Sequence, residues 1–388
     1  MPARTTESTR SAEPLRGPAA GGGRRVSTLE LFFDLVFVFT ITQLTAVLAA
    51  DPSWDSVFKA FLMLGIIWWM YGGYAWLTNA AGVEAPRTRL LLLGGMAGFM
   101  VMALAVPTAF DGDGLAFGLG FLVVTLIHAF LFLYATEAPA AAAFRGVVPY
   151  NLAIAACAVV GGALGGTAEY VLFAAAFLIA WALPKLGSDD PRLAVSPAHF
   201  VERHGLVVIV AIGESVIAVG IGASHLPLEA GLIAVALLGL ALSACLWWAY
   251  FGGDDTRAEE AILAAPVGRR PRMVLSAYGF SHIPILLGIV IASSALEYAI
   301  AHPDEKLEFA RAFALGGGVA LYFAGEAMFR RSLAIGSAIN RGQAAGLALT
   351  SVIIGTVAPA TVQLVYLVAL LVLVLALDRQ SGLRRVPA

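Results

Sequence analysis

The chain has 388 residues, of which 60% are hydrophobic and 13% charged, with a net charge of −2 and a mean hydropathy of +0.85. Soluble domains carry about 25% charged residues, so a water-soluble globular fold is excluded, and without a basic patch there is no footing for a nucleic-acid partner. The composition implies a lipid bilayer as partner, where runs of about 20 apolar residues span as helices because lipid leaves an unpaired backbone nothing to bond to.

In chain order, residues 1–28 contain Arg, Gly and Pro without an apolar leader core and read as a disordered cytoplasmic tail. Twelve apolar runs follow, at 29–50, 57–78, 89–108, 115–134, 147–165, 169–186, 203–223, 228–250, 273–295, 307–328, 342–358 and 360–378, before a short cytoplasmic tail at 379–388. The fold class is therefore all-α, a polytopic membrane protein of about twelve transmembrane helices. With the N-terminus inside, only Lys59, Lys306 and Arg311 of the 24 basic residues fall outside, which leaves 21 inside. That is the bias of the positive-inside rule, and an even number of spans puts both termini in the cytoplasm. The excess of Arg over Lys, with much Ala and Gly, reads as GC-rich coding and points to a bacterial plasma membrane.

The first run, "LELFFDLVFVFTITQLTAVLA" from Leu29, carries Glu30 and Asp34 four residues apart on one helix face. The second ends in "WWMYGGYAW" from Trp68, and "WWAYFGGDD" from Trp247 repeats that pattern 179 residues later. Aligning the first and seventh runs places Gln43 opposite Glu214, 171 residues apart, and "VST" before one matches "VSP" before the other. The expected organisation is two homologous six-helix halves, 29–190 and 191–378, related by an axis along the membrane normal as in parallel-repeat transporters. Spans one and seven should then meet at that axis.

Ionisable groups inside a bilayer are costly, so each is a functional candidate. Glu30 sits at the inner boundary, where it also suits the positive end of its helix, and Asp34 lies about 6 Å deeper. Arg203, at the matching depth of span seven beside Glu202, is the natural partner of Asp34. Glu214 lies about 16 Å beyond Arg203, near the midplane of a core about 30 Å thick. A carboxyl there needs a proton, a partner or a water-filled cavity. Gln43 would complete a polar pair with it, and a satisfied structural hydrogen bond is the alternative to a functional one. His128, His282 and Glu326 form a second tier, readable as satisfied core groups. In "YGFSHIPILLG", Pro284 follows His282 closely and frees backbone carbonyls where the helix can break.

Other chemistries find no support. "HFVERH" resembles a zinc signature, but Arg203 occupies the place of its second His, and His204 falls about 140° around the helix from His199. No phosphate-binding loop occurs, "GGALGG" at 161–166 suits close helix packing, and Cys157 and Cys245 read as small buried residues with no disulfide framework. No cofactor or metal is expected, and an enzyme is the weaker reading.

"ELFFDLVFV" together with "HFVERHGLVVIVAIGESVIAVG" resembles the bacterial low temperature requirement A family over about residues 25 to 378. The resemblance implies a membrane protein linked to growth in the cold, with Glu30, Asp34, Glu202, Arg203 and Glu214 at signature positions and His282 as a further one. The first helix is also similar to that of a prokaryotic and lysosomal potassium-channel family through Phe33, Asp34, Val36, Phe37, Ile41, Thr42 and Leu44. That family expects Phe-Ser where this chain has Phe32-Phe33, and span seven lacks its motif. The function expected is a secondary transporter or channel for a cation or small solute, with Glu214 as midplane site, Asp34, Glu30, Arg203 and Glu202 as an inner charge network, and Gln43 and His282 as polar neighbours. The alternative is a membrane-embedded enzyme or adaptor of lipid or envelope adaptation to cold. Assembly as a homo-oligomer is compatible with either.

Overall fold

In the computed structural model, residues 26–182 and 192–383 are described; of the tails expected at 1–28 and 379–388, residues 1–25 and 384–388 lie outside them, as does Lys185. All regular elements among the described residues are helical, with one isolated bridge between Lys306 and Pro359. The first part of the chain forms α1 (Thr28–Ala50), α2 (Trp54–Ala80), α3 (Pro86–Ala105), α4 (Gly114–Ala135), α5 (Ala138–Arg145), α6 (Val148–Leu164) and α7 (Gly166–Ala182). The second forms α8 (Pro197–Ala223), α9 (Ala230–Phe251), α10 (Asp254–Ala264), α11 (Arg270–Val274), α12 (His282–Ala301), α13 (Phe309–Leu333), α14 (Ala338–Val357) and α15 (Ala360–Leu383).

Nine helices among the described residues are long and apolar enough to cross a membrane, or ten if α5 and α6, bent by 49°, make one span. The twelve runs expected from hydropathy are thus nine to ten by this stricter measure. α7 is 17 residues long, and α14 carries Asn340, Arg341 and Gln343 in its first turns. The turn between α6 and α7 depends on Gly165 and Gly166, at φ +66° and +55°, a region that costs other residues strain. Within "GGALGG", Gly162 packs backbone to backbone on α4: a Cβ there would come within 2.0 Å of the Gly114 carbonyl carbon.

One order of packing occurs twice. α1 packs on α3, α3 on α4, α4 on α6 and α6 on α7, which returns to α2, itself against α1. α8 packs on α12, α12 on α13, α13 on α14 and α14 on α15, which returns to α9, itself against α8. The two parts meet through α1 against α8, as expected of spans one and seven, and also through α12 against α1 and α2. The stretch Val267–Ala301, which contains α12, is the most enclosed span, with 83% of its apolar window buried.

Pro284 does not end its helix. It is preceded by a π-turn at Leu275–Phe280, in which the Ser281 N–H reaches back to the Ser276 carbonyl at 3.2 Å. The same turn leaves the Gly279 carbonyl to accept the Trp68 indole N–H from α2 at 3.0 Å. Such bulges are a recognised way for a helix to free carbonyls for other partners.

Candidate functional site

The site begins with how α1 starts. Ser27 and Glu30 form a capping box: the Ser27 hydroxyl accepts the Glu30 N–H at 3.3 Å, and Glu30 Oε2 accepts the Ser27 N–H at 2.8 Å. Glu30 Oε1 is thereby turned away from the cap. It accepts from His199 Nε2 at 2.7 Å and lies 3.4 Å from Arg203 Nη1, both on α8. His199 and Arg203 are four residues apart, as are Glu30 and Asp34, so two matched pairs face each other one helical turn apart.

Arg203 is fully buried and binds two other helices, α1 and α2. Its Nη2 donates to Asp34 Oδ1 at 3.3 Å, while Nη1 donates to Thr78 Oγ1 and to the Tyr74 carbonyl of α2. Its guanidinium lies 5.4 Å from the ring centres of both Phe33 and Tyr71, a distance at which the rings help to stabilise the cation. The Tyr71 hydroxyl faces Asp34 and Arg203 without completing a hydrogen bond, and Asp34 Oδ2, Arg203 Nε and His199 Nδ1 also lack partners among the described residues. The pocket is therefore charged, enclosed and incompletely satisfied, and each unmet group is costly in apolar surroundings.

Further along the same two helices, the Thr42 hydroxyl of α1 donates to Glu214 Oε1 of α8 at 2.6 Å. Glu214 is 4% exposed. Its partner is Thr42, not the Gln43 that the repeat alignment placed opposite it, and Gln43 hydrogen-bonds no described residue. One position along a helix turns a side chain by about 100°, enough to exchange the two. Glu202 also stands apart from the buried group: it is exposed and accepts the Val26 N–H at 3.2 Å, tethering the chain before α1.

His282 is held where α12 begins. Its Nδ1 donates to the Ala277 carbonyl at 2.9 Å, so Nε2 accepts the Tyr250 hydroxyl, also at 2.9 Å. Trp68 stacks on its ring at 6.0 Å, and the His204 ring lies 5.6 Å away.

A bacterial low temperature requirement A protein family model matches residues 25–376. This chain belongs to that family. It is also 29% identical over 319 residues to a protein of Rhizobium meliloti (strain 1021) described only as uncharacterized, covering 79% of this chain and 77% of that one. In this family member, the two stretches that carry the resemblance, at the starts of α1 and α8, are the stretches that bond to one another. The low temperature requirement A chain thus brings Glu30, Asp34 and Arg203 into one contact group and Glu214 into a second on the same pair of helices. Glu202 and His282 have separate partners, and Gln43 has no hydrogen-bond partner among the described residues.

Sequence reasoning missed His199, Thr42, Tyr71 and Thr78. For His199 a signal existed, since it lies one turn before Arg203 on the same face. It also missed a second buried charge group on α10, α13, α14 and α15. Arg330 bridges Asp254 at 2.6 Å and Asp378 at 2.7 Å, and Arg341 lies 3.5 Å from Asp378 and 3.9 Å from Glu326. Of these residues, only Glu326 stood out in the apolar runs. No group of three or more His, Cys, Asp or Glu able to hold a metal occurs among the described residues.

Proposed function

We propose that this family member is a multi-pass transporter or channel of the bacterial plasma membrane that moves a cation or small solute, built from two six-helix halves with both termini cytoplasmic. The halves correspond to residues 29–190 and 191–378, twelve spans in all. The twofold recurrence of one packing order supports that division, because α1–α7 and α8–α15 each close the same ring of neighbours. The bias of 21 basic residues to one side supports the orientation.

The observation that carries the reading is the polar seam between α1 and α8. Arg203 meets Glu30 and Asp34 at one level, and Thr42 meets Glu214 about 16 Å further along the helix. Ionisable side chains are expensive in a membrane interior, and where they persist they face a partner, a pathway or water. Among the described residues Glu214 has a single neutral hydroxyl as partner, so its carboxyl retains acceptor capacity for a passing cation or proton. Arg203, held by four oxygens on α1 and α2, is the fixed part of the seam.

The test is flux through purified protein in liposomes, with sodium, potassium and proton gradients imposed separately. One of the three should collapse faster than in protein-free vesicles. If all three persist with folded protein present, the cation form of the proposal fails.

A further inference from the structure

A cavity of about 370 Å³ lies beside the seam, among α2, α4, α6, α7, α8 and the π-turn that precedes α12. Its size falls in the range of small-molecule pockets, about 300 to 1,000 Å³. Four of the chain's seven tryptophans, Trp68, Trp69, Trp76 and Trp181, line it. Three of their indole N–H groups are already used: Trp68 donates to the Gly279 carbonyl at 3.0 Å, Trp69 to Asn151 Oδ1 at 2.9 Å and Trp181 to the Gly65 carbonyl at 3.1 Å. With those donors engaged, these three tryptophans offer the cavity ring surface rather than hydrogen bonds.

Among the described residues, no Asp, Glu, Lys or Arg lines the cavity. An ion entering would give up its water for nothing of opposite charge, which is strongly unfavourable. The polar groups at the wall are neutral. Asn151 accepts from Trp69 through its oxygen, which fixes its amide orientation and leaves the NH₂ without a described partner. His204 donates from Nδ1 to the Phe200 carbonyl at 2.9 Å, so its Nε2 is an acceptor that no described residue fills. The Asn151 NH₂ and the His204 Nε2 are thus an unused donor and an unused acceptor beside a wall of aromatic faces, where the His128 ring nitrogens and the Tyr278 hydroxyl also lack described partners.

We propose that this cavity binds an uncharged, planar aromatic molecule with a hydrogen-bonding edge. Aromatic rings meet such a ligand by offset stacking or edge-to-face contact, an arrangement that favours flat rings over saturated chains. Asn151 and His204 would fix its polar edge. The binding is independent of ion movement along the α1–α8 seam and stands or falls separately from it.

Two glycines make the cavity testable. A Cβ added at Gly72 would meet no atom within 4 Å, and one at Gly146 would meet only the Ala143 carbonyl at 3.6 Å, so each position can take a side chain that occupies the space. The experiment titrates the full-length protein in lipid nanodiscs with 1-aminoanthracene and reads energy transfer from tryptophan to the probe. A saturable signal is expected in the natural sequence, at least tenfold weaker in Gly72→Leu and in Gly146→Leu. It should be unchanged in Gly231→Leu, whose added side chain also meets open space but lies away from the cavity. Circular dichroism and a monodisperse elution profile establish that each variant is folded, and either cavity variant suffices if the other fails to fold. Equal signals in the natural protein and a folded cavity variant would overturn the proposal. So would displacement of the probe by dodecanol at concentrations where 2-naphthol does not displace it, which would mark the cavity as an acyl-chain site.

Discussion

The Thr42 hydroxyl lies 2.6 Å from Glu214 Oε1, and this bond ties α1 to α8 well away from the Arg203 group that joins the same helices. The two contacts are eight residues apart on α1 and eleven on α8, so the two helices share a polar seam over two to three turns. Thr42→Val should remove the donor while keeping the shape, leaving the Glu214 oxygen short of a partner at a cost of about 1–3 kcal/mol. Thr42→Ser should keep the bond and most of the stability. Thermal unfolding of the two purified variants measures the difference, and equal midpoints would mean that the bond contributes nothing.

Arg203 makes a stronger prediction because it is in contact with two buried carboxylates at once. Arg203→Met should cost about 3–5 kcal/mol, since removing one member of a buried ion group strands the others. Arg203→Lys should rescue little of this, because an ammonium lacks the planar fork that reaches Asp34, Glu30 and Thr78 together. Adding Glu30→Gln and Asp34→Asn to Arg203→Met should recover part of the loss. The folded yield after detergent extraction and the thermal midpoint report both effects, and additive losses in the triple variant would contradict a coupled group.

The capping box gives a local prediction. Ser27→Ala should cost about 0.5–2 kcal/mol through loss of the helix cap. It also releases one of the restraints on Glu30, whose other oxygen holds His199. Amide exchange should rise in the first turn of α1 and at the start of α8, whereas Ser27→Asp should preserve protection at both. A rise confined to α1 would show that Glu30 keeps its place without the cap.

Gly162 and Gly72 should respond oppositely to the same substitution. Alanine favours a helix interior over glycine by about 1 kcal/mol. At Gly162, however, an added methyl would press on the Gly114 backbone, so Gly162→Ala should be destabilising by about 1–3 kcal/mol. Gly72→Ala meets nothing and should be neutral or stabilising. Thermal midpoints of the two variants settle the signs.

The helical, membrane-embedded character was legible because lipid imposes it on any chain of this composition. Glu30, Asp34 and Arg203 were legible for a similar reason: charge in an apolar run stands out, and spacings of four residues put Glu30 and Asp34 on one face. Thr42 and Thr78 were not, since a threonine is unremarkable in a membrane helix and its pairing depends on the register between helices. The exchange of Gln43 for Thr42 is that register error in its smallest form. The place of α12 between the two parts of the chain was hidden as well. Its contacts with α1 and α2 join residues far apart in sequence, and the expected repeat directed attention to spans one and seven alone. The bend between α5 and α6 and the π-turn before α12 adjust backbone hydrogen bonding in ways that hydropathy does not register.

The most direct test of a transport path along α1 and α8 compares Glu214→Gln with Glu202→Gln in proteoliposome flux. Both remove one negative charge from α8, but Glu214 is buried in the seam and Glu202 is exposed beside it. If the path runs there, Glu214→Gln abolishes flux in folded protein while Glu202→Gln retains at least half of it. Undiminished flux in folded Glu214→Gln would rule out such a path, and the carboxylate would then serve only to hold Thr42.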